Sequence, residues 1–253
     1  MFTRALLKKP CRNLANGLSM AGLGVPDYEK AIAQHEAYAG VLRSCGVEPT
    51  ILEADEDYPD SVFIEDTAVL CETLAVITRP GAPSRRGEEA AVTAALSRFY
   101  DRLEAITAPG TLEGGDVLRA GNRFFIGISA RTNEAGGGQL AAILKKNGYD
   151  AVLVPLRHVL HLKTGIAYLE NNRLLAGGEF VSHGQLKQFQ IIPVADNEAY
   201  AANALWINGR VLVAAGFPGT RESIRKSGYE TIRVDVSEFR KLDGGLSCLS
   251  LRF

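Results

Sequence analysis

Cysteine is scarce and scattered here: Cys11, Cys45, Cys71 and Cys248 are the only four in 253 residues, with no C-x-x-C pair. Such spacing excludes a zinc ribbon and a disulfide framework, and a reducing cytoplasm is the expected compartment. An excess of charge of one sign is also missing, since 28 Lys and Arg face 29 Asp and Glu for a formal net charge of -1. Nothing in that balance attracts phosphate polymers or anionic lipid, so neither nucleic acid nor a membrane is an expected partner. No apolar run approaches the roughly 18–20 residues of a membrane span. The opening residues Met1 to Pro10 lack the apolar stretch and cleavage site of a signal peptide. The length, 253 residues, allows one large domain or two small ones.

What is present is repetition. Asp66, Asp116, Gly165, Asn203 and Gly245 each begin a similar run, at intervals of 50, 49, 38 and 42 residues. The first four runs read strand, turn, strand, and Gly121-Asn122, Asn171-Asn172 and Asn208-Gly209 are pairs that two-residue hairpins use for positive φ. Helices are predicted over 27–46, with Asp27 as its cap, and over 87–100, 132–148 and 220–228. Gly46, Gly148 and Gly228 stand at helix ends. Short apolar strands follow at about 47–52, 103–107, 151–155, 191–195 and 231–234, so each unit is expected to read hairpin, helix, strand. The fifth run, from Gly245, stops after one strand, with Leu249, Leu251 and Phe253 alternating and Cys248 at its start. A spare strand over 2–8 would complete it. The expectation is an α/β fold of five pseudo-symmetric units closed by pairing of the N- and C-terminal strands, a single domain over 1–253.

Five-fold closure brings equivalent positions around one axis, and chemically useful side chains fall near one phase. Asp66 sits at the reference position, Glu113 three before Asp116, His161 four before Gly165 and Cys248 three after Gly245. The fourth unit offers only Asn203. Taken alone, Cys248 reads as a buried structural thiol, and a zinc pair of His158 with His161 lacks an evident third ligand. Taken together, a thiol, an imidazole and two carboxylates suit nucleophilic attack on an sp² carbon. The acids favour a guanidinium over a carbonyl, because they match a planar cation and oppose an oxyanion. Ionising a thiol of pKa near 8.5 at pH 7 costs roughly 2 kcal/mol. A cation about 4 Å away supplies up to roughly 4 kcal/mol at an effective dielectric near 20. A bound guanidinium would thus help ionise its own attacker.

Arg85 and Arg131 fall at predicted helix starts, where an anion is favoured over a cation. They either fork onto a substrate carboxylate or lie solvated in a first turn. Asp60 either takes an ammonium or ends the acidic loop of Glu53, Asp55, Glu56 and Asp57. The segment 16–24, with three glycines, reads as a lid or as plain linker.

The motifs Asp60-Ser61-Val62-Phe63-Ile64-Glu65-Asp66, Ser84-Arg85-Arg86-Gly87-Glu88, Leu112-Glu113-Gly114-Gly115-Asp116, His161-Leu162-Lys163-Thr164-Gly165 and Asp243-Gly244-Gly245-Leu246-Ser247-Cys248, in this order, closely resemble the dimethylarginine dimethylaminohydrolase family of guanidine-modifying (pentein) enzymes. The resemblance implies a five-fold α/β propeller that hydrolyses Nω-methylated arginine to citrulline and methylamine or dimethylamine. It implies Cys248 as nucleophile through a covalent thiouronium, with His161 as proton carrier and Glu113 orienting it. Asp66, with Glu65 beside it, would hold the guanidinium. Asp60 and the carbonyls of Leu18 and Leu242 would take the α-ammonium, Arg85 and Arg131 the α-carboxylate, and Ser247 would complete the site beside the thiol. No metal or cofactor is implied, and a homodimer is compatible with bacterial relatives. Thr67 departs from the pattern, where relatives often carry Pro, and is expected to loosen the choice between methylated and free arginine. The competing readings are an arginine deiminase-type hydrolase and a non-catalytic five-fold binding module.

Overall fold

The middle strand of each unit is apolar at nearly every position, where a one-sided sheet would alternate with polar residues. The computed structural model, which describes all 253 residues, accounts for this. Five three-stranded sheets surround a common axis, and both faces of each sheet are covered. Consecutive side chains therefore enter different cores. Phe124 and Ile126 pack with Val76 and Leu140, whereas Phe125 packs with Ile166 and Phe180. Leu175 likewise parts from Leu174 and Ala176, and Leu6 from Ala5 and Leu7. Each hydrophobic cluster fills the junction between neighbouring sheets, so the interior is a ring of five small cores.

Within every sheet an inner strand runs antiparallel to the middle one, which runs parallel to the outer one. The inner strands are Ala68–Leu70, Val117–Ala120, Ile166–Tyr168, Leu205–Ile207 and Leu251–Arg252. The predicted hairpin turns are present, with positive φ at Gly121, Asn171, Asn172, Asn208 and Gly209. The clasp is present too. Arg4–Lys8 pairs antiparallel with Leu251–Arg252 and parallel with Glu48–Leu52, so the fifth sheet joins both ends of the sequence.

Two expectations are corrected. No α-helix links Arg173–Ala176 to Gln190–Pro193; the short 3-10 turns Gly178–Phe180 and Gly184–Leu186 cover that sheet instead. Cys248 does not begin a strand but lies in the 3-10 turn Ser247–Leu249, so the fifth unit is set about four residues later than its glycines suggest. A helical turn of this kind precedes every inner strand, as Ile64–Thr67, Gly114–Asp116, Leu162–Gly165 and Asp196–Ala202 do in the other four. These turns stack around one end of the axis and carry the site. No helix is long and apolar enough to cross a membrane.

Leu6 is fully buried opposite Leu251, in the core it shares with Ile64 and Ile77. Leu6→Ala is expected to lower stability by about 2–5 kcal/mol. Glu36→Ala, on the exposed face of the helix Tyr28–Ser44, should stay within about 0.5 kcal/mol. Urea unfolding followed by circular dichroism measures both.

Candidate active site

The turns bring their polar side chains together because they interlock closely. A Cβ on Gly114 would lie 2.0 Å from the Glu65 carbonyl, and one on Gly115 would lie 2.7 Å from His161 Nδ1 and 2.8 Å from Asp66 Oδ1. Only glycine permits that approach. Gly244 and Gly245 have the same explanation, since side chains there would strike Phe63 and Asn203. The positive φ of this loop falls instead on Asp243, at +60°.

Asp66, Glu113, His161 and Cys248 line one small pocket of about 30 Å³, together with Leu18, Asp60, Arg85, Arg131 and Leu242. Glu113 Oε2 bonds His161 Nε2 at 2.8 Å. Its Oε1 accepts from the backbone N–H of Gly81 (3.1 Å) and Ala82 (3.2 Å), and Arg131 Nη1 approaches to 3.5 Å. Burial alone would neutralise this carboxyl, but His161 and the two arginines hold it well below the usual range. Burial likewise pulls the imidazole down, and Asp66 with Glu113 more than offsets it, so His161 is raised and held as a cation. Asp116, although buried, reaches across to fasten the histidine turn by accepting from Leu162 N at 2.9 Å.

Asp66 is braced from behind. Its Oδ1 accepts from Gly115 N at 2.8 Å, and its Oδ2 pairs with Arg85 Nη1 at 2.6 Å. Arg85 also forks onto Glu88 and donates to the Phe63 carbonyl at 3.1 Å, which leaves only part of Nη1 for a ligand. Arg131 is the freer of the two arginines, with a fifth of its side chain exposed. Asp60 accepts from Leu18 N at 3.0 Å, and its carboxyl is raised by burial against the pull of Arg85. Ser19 Oγ donates to the Lys241 carbonyl and Met20 N to Asp243, both at 2.6 Å, so the glycine-containing segment is fastened across the mouth.

The thiol is partly open to this pocket. Burial, Glu65 and Asp66 push it up to about 12, against the N–H of Gly245, which donates to Sγ at 3.3 Å. Its turn is held from every side: Tyr200 OH donates to the Gly244 carbonyl, Tyr38 OH to that of Leu246, and Arg252 to that of Ser247.

Two residues expected beside the substrate lie elsewhere. Glu65 and Asp66 are consecutive in a tight helical turn, so their side chains diverge. Asp66 faces the pocket, while Glu65 turns to the opposite side and is clamped by Lys163 (2.6 Å), Arg252 (2.8 Å) and Ser247 Oγ (2.7 Å). Burial opposes its charge, but these two bases hold it ionised below the usual range. Ser247 is thereby a buried anchor for Glu65 and does not line the pocket. Thr67 also faces away, donating to the Ile64 carbonyl at 2.7 Å, which removes the basis for a direct effect on substrate choice. His158 is exposed and does not join His161, so the zinc pair is not assembled. Asp66, Glu113 and His161 offer atoms within 4.8 Å of one another, but a metal there would have to displace the cations and N–H groups already bound.

Asn203, the apparently idle group of the fourth unit, bridges the catalytic turns. Its Nδ2 donates to the Lys163 carbonyl (2.9 Å) and to Ser247 Oγ (3.1 Å), and its Oδ1 accepts from Ser247 N (3.0 Å). It thereby ties the turn after His161 to the turn of Cys248. Its matching repeat phase was the one available signal. Lys163, Glu88 and Arg252 had none, because a charged side chain at the surface and a buried one look alike in sequence.

Comparison with known proteins identifies the family and the fold. The family model described as N,N dimethylarginine dimethylhydrolase, eukaryotic, matches residues 27–250. An N(G),N(G)-dimethylarginine dimethylaminohydrolase of Pseudomonas aeruginosa is 52% identical over the whole of both chains. The solved structure of a mutant Pseudomonas aeruginosa DDAH complexed with citrulline superposes with a TM-score of 0.99 at 51% identity, covering both chains completely. The N-terminal domain of a cyanobacterial arginine dihydrolase shares the fold, with a TM-score of 0.89 at 20% identity over 98% of this chain and 96% of that one. On sequence and fold together, the chain belongs to the dimethylarginine dimethylaminohydrolase family.

Proposed function

We propose that the protein hydrolyses Nω-methylated L-arginine to L-citrulline, releasing methylamine or dimethylamine. The observation that carries this is a partly exposed thiol that shares one pocket with two fixed carboxylates and a cationic imidazole. Carboxylates so placed receive a planar cation. Family membership carries the preference for a methylated substrate.

The guanidinium sits against Asp66 and Glu113, with its central carbon facing Cys248. Its arrival offsets Asp66, one of the two acids that raise the thiol, and the proton leaves to solvent. Sulfur attacks the carbon, and the bond to the methylated nitrogen breaks as His161 gives that nitrogen its proton. A thiouronium remains on Cys248. The now neutral His161 takes a proton from water, whose oxygen adds to the same carbon. The carbon–sulfur bond then breaks as the hydroxyl proton passes to solvent, returning thiolate and leaving the urea of citrulline. One imidazole serves both steps because Glu113 and Asp66 keep its proton available but firmly held. Asp60 and the carbonyls of Leu18 and Leu242 receive the α-ammonium. Arg131 and the spare proton of Arg85 receive the α-carboxylate. A pocket of about 30 Å³ has room for roughly one water. Entry of an amino acid therefore requires release of the segment fastened by Ser19 and Met20, whose Gly22 and Gly24 have φ of +63° and +89°. Four unpaired cysteines support a reducing compartment.

Incubation with asymmetric dimethylarginine should yield equal amounts of citrulline and dimethylamine, with no turnover by Cys248→Ala. Citrulline from free arginine but not from the methylated form would overturn the substrate; no product from either would return the chain to a binding role. Alkylation of Cys248 by iodoacetamide should rise with pH towards 12 in the free protein, and acetamidinium should shift the profile to lower pH. Mass spectrometry reads the rate, and an unmoved profile would sink substrate-assisted ionisation. Asn203→Ala should lower kcat by about 10–100-fold with a smaller change in KM, since it loosens alignment without touching substrate.

A further inference from the structure

A second, far roomier cavity than the site pocket lies at the other end of the axis from the chemistry. It encloses about 680 Å³ and is walled by the inner strands of all five sheets, with Leu70, Phe99, Tyr168 and Trp206 among the side chains exposed to it. Its size falls within the range of small-molecule sites, about 300–1,000 Å³. The walls are apolar, but the floor is not. Lys163, Arg252 and Glu65 close it, two cations to one anion. Glu65 Oε1 is the one acid oxygen paired with Lys163, whose ammonium carries three N–H donors. Arg252 is otherwise spent on the Ser247 and Ser250 carbonyls. The surplus charge at the floor is thus centred on Lys163, and only 14% of its side chain is exposed. An unbalanced buried cation is costly unless something pairs with it. At the rim, Arg119 neutralises Glu72 at 2.5 Å, while Glu170 has no basic partner and disfavours an anionic group left at the lip.

We propose that this cavity is a second binding site, specific for a small amphipathic monocarboxylate. The acid head lies deep, against the free donors of Lys163, and the apolar body lies along the strand walls. The Glu65 clamp separates this ligand from the catalytic pocket, so binding there does not depend on the reaction assigned above.

Trp206 is the sole tryptophan of the chain and lines the wall, so its emission reports occupancy directly. Octanoate should change that emission saturably, with one site per chain by calorimetry. 1-Octanol, lacking the charge, should bind at least about tenfold more weakly. Lys163→Met should bring octanoate to the level of the alcohol while leaving the alcohol's affinity and the circular dichroism unchanged. Arg131→Ala should leave octanoate binding intact, which separates this site from the catalytic pocket. Absence of saturation up to about 1 mM, or equal affinity for acid and alcohol, would overturn the proposal. So would loss of octanoate binding in Arg131→Ala, or a sedimenting dimer whose dissociation is needed before the probe enters.

Discussion

Buried negative charge is the constraint on which this molecule turns. Glu65, Asp66 and Glu113 converge at the axis with hardly any exposure, and each is met by at least one base. Lys163 and Arg252 serve Glu65, Arg85 serves Asp66, and His161 with Arg131 serves Glu113. Removing Arg85, the one base paired with Asp66, would leave an uncompensated buried charge, a loss of order 3–5 kcal/mol. Several of these pairs cross from one sheet to another, so the same contacts that prepare the chemistry hold the ring in register.

The chemistry uses an imbalance in that arrangement. Asp66 and Glu113 face the pocket, and burial together with Glu65 and Asp66 makes the thiol beside them resist ionisation. A cationic group entering the pocket would relieve the share due to Asp66. Glu65 has its cations locked in place and takes no part in this exchange. Two neighbouring acids in one short turn thereby serve different ends, one reactive and one structural.

Much of this was legible in the sequence. Asn and Gly pairs marked the hairpins, and the repeat spacing with an unpaired first strand gave a closed five-fold ring. The phase of Asp66, Glu113, His161 and Cys248 brought them to one axis. The orientation of adjacent residues was not legible, because a helical turn of three or four residues leaves no periodicity to read. Glu65 and Ser247 were therefore expected at the substrate. The fifth unit slipped because Gly244-Gly245 looked like a hairpin turn, whereas those glycines make room for Phe63 and Asn203. A helix between the third sheet's middle and outer strands was expected only by analogy with the other units, and two 3-10 turns stand there instead. Partners such as Asn203 and Lys163 emerge only from contacts between distant segments.

Strand Arg4–Lys8 has its inner neighbour nearly the whole sequence away, at Leu251–Arg252. Non-local pairing of that kind slows folding, because a large loop must close before the contact rewards it. During synthesis the opening strand emerges early but finds its inner edge covered only when the segment bearing Cys248 arrives. Until then the four earlier sheets lack the turn that brings Cys248 beside Asp66, Glu113 and His161. Completion of the pocket and closure of the ring are a single event.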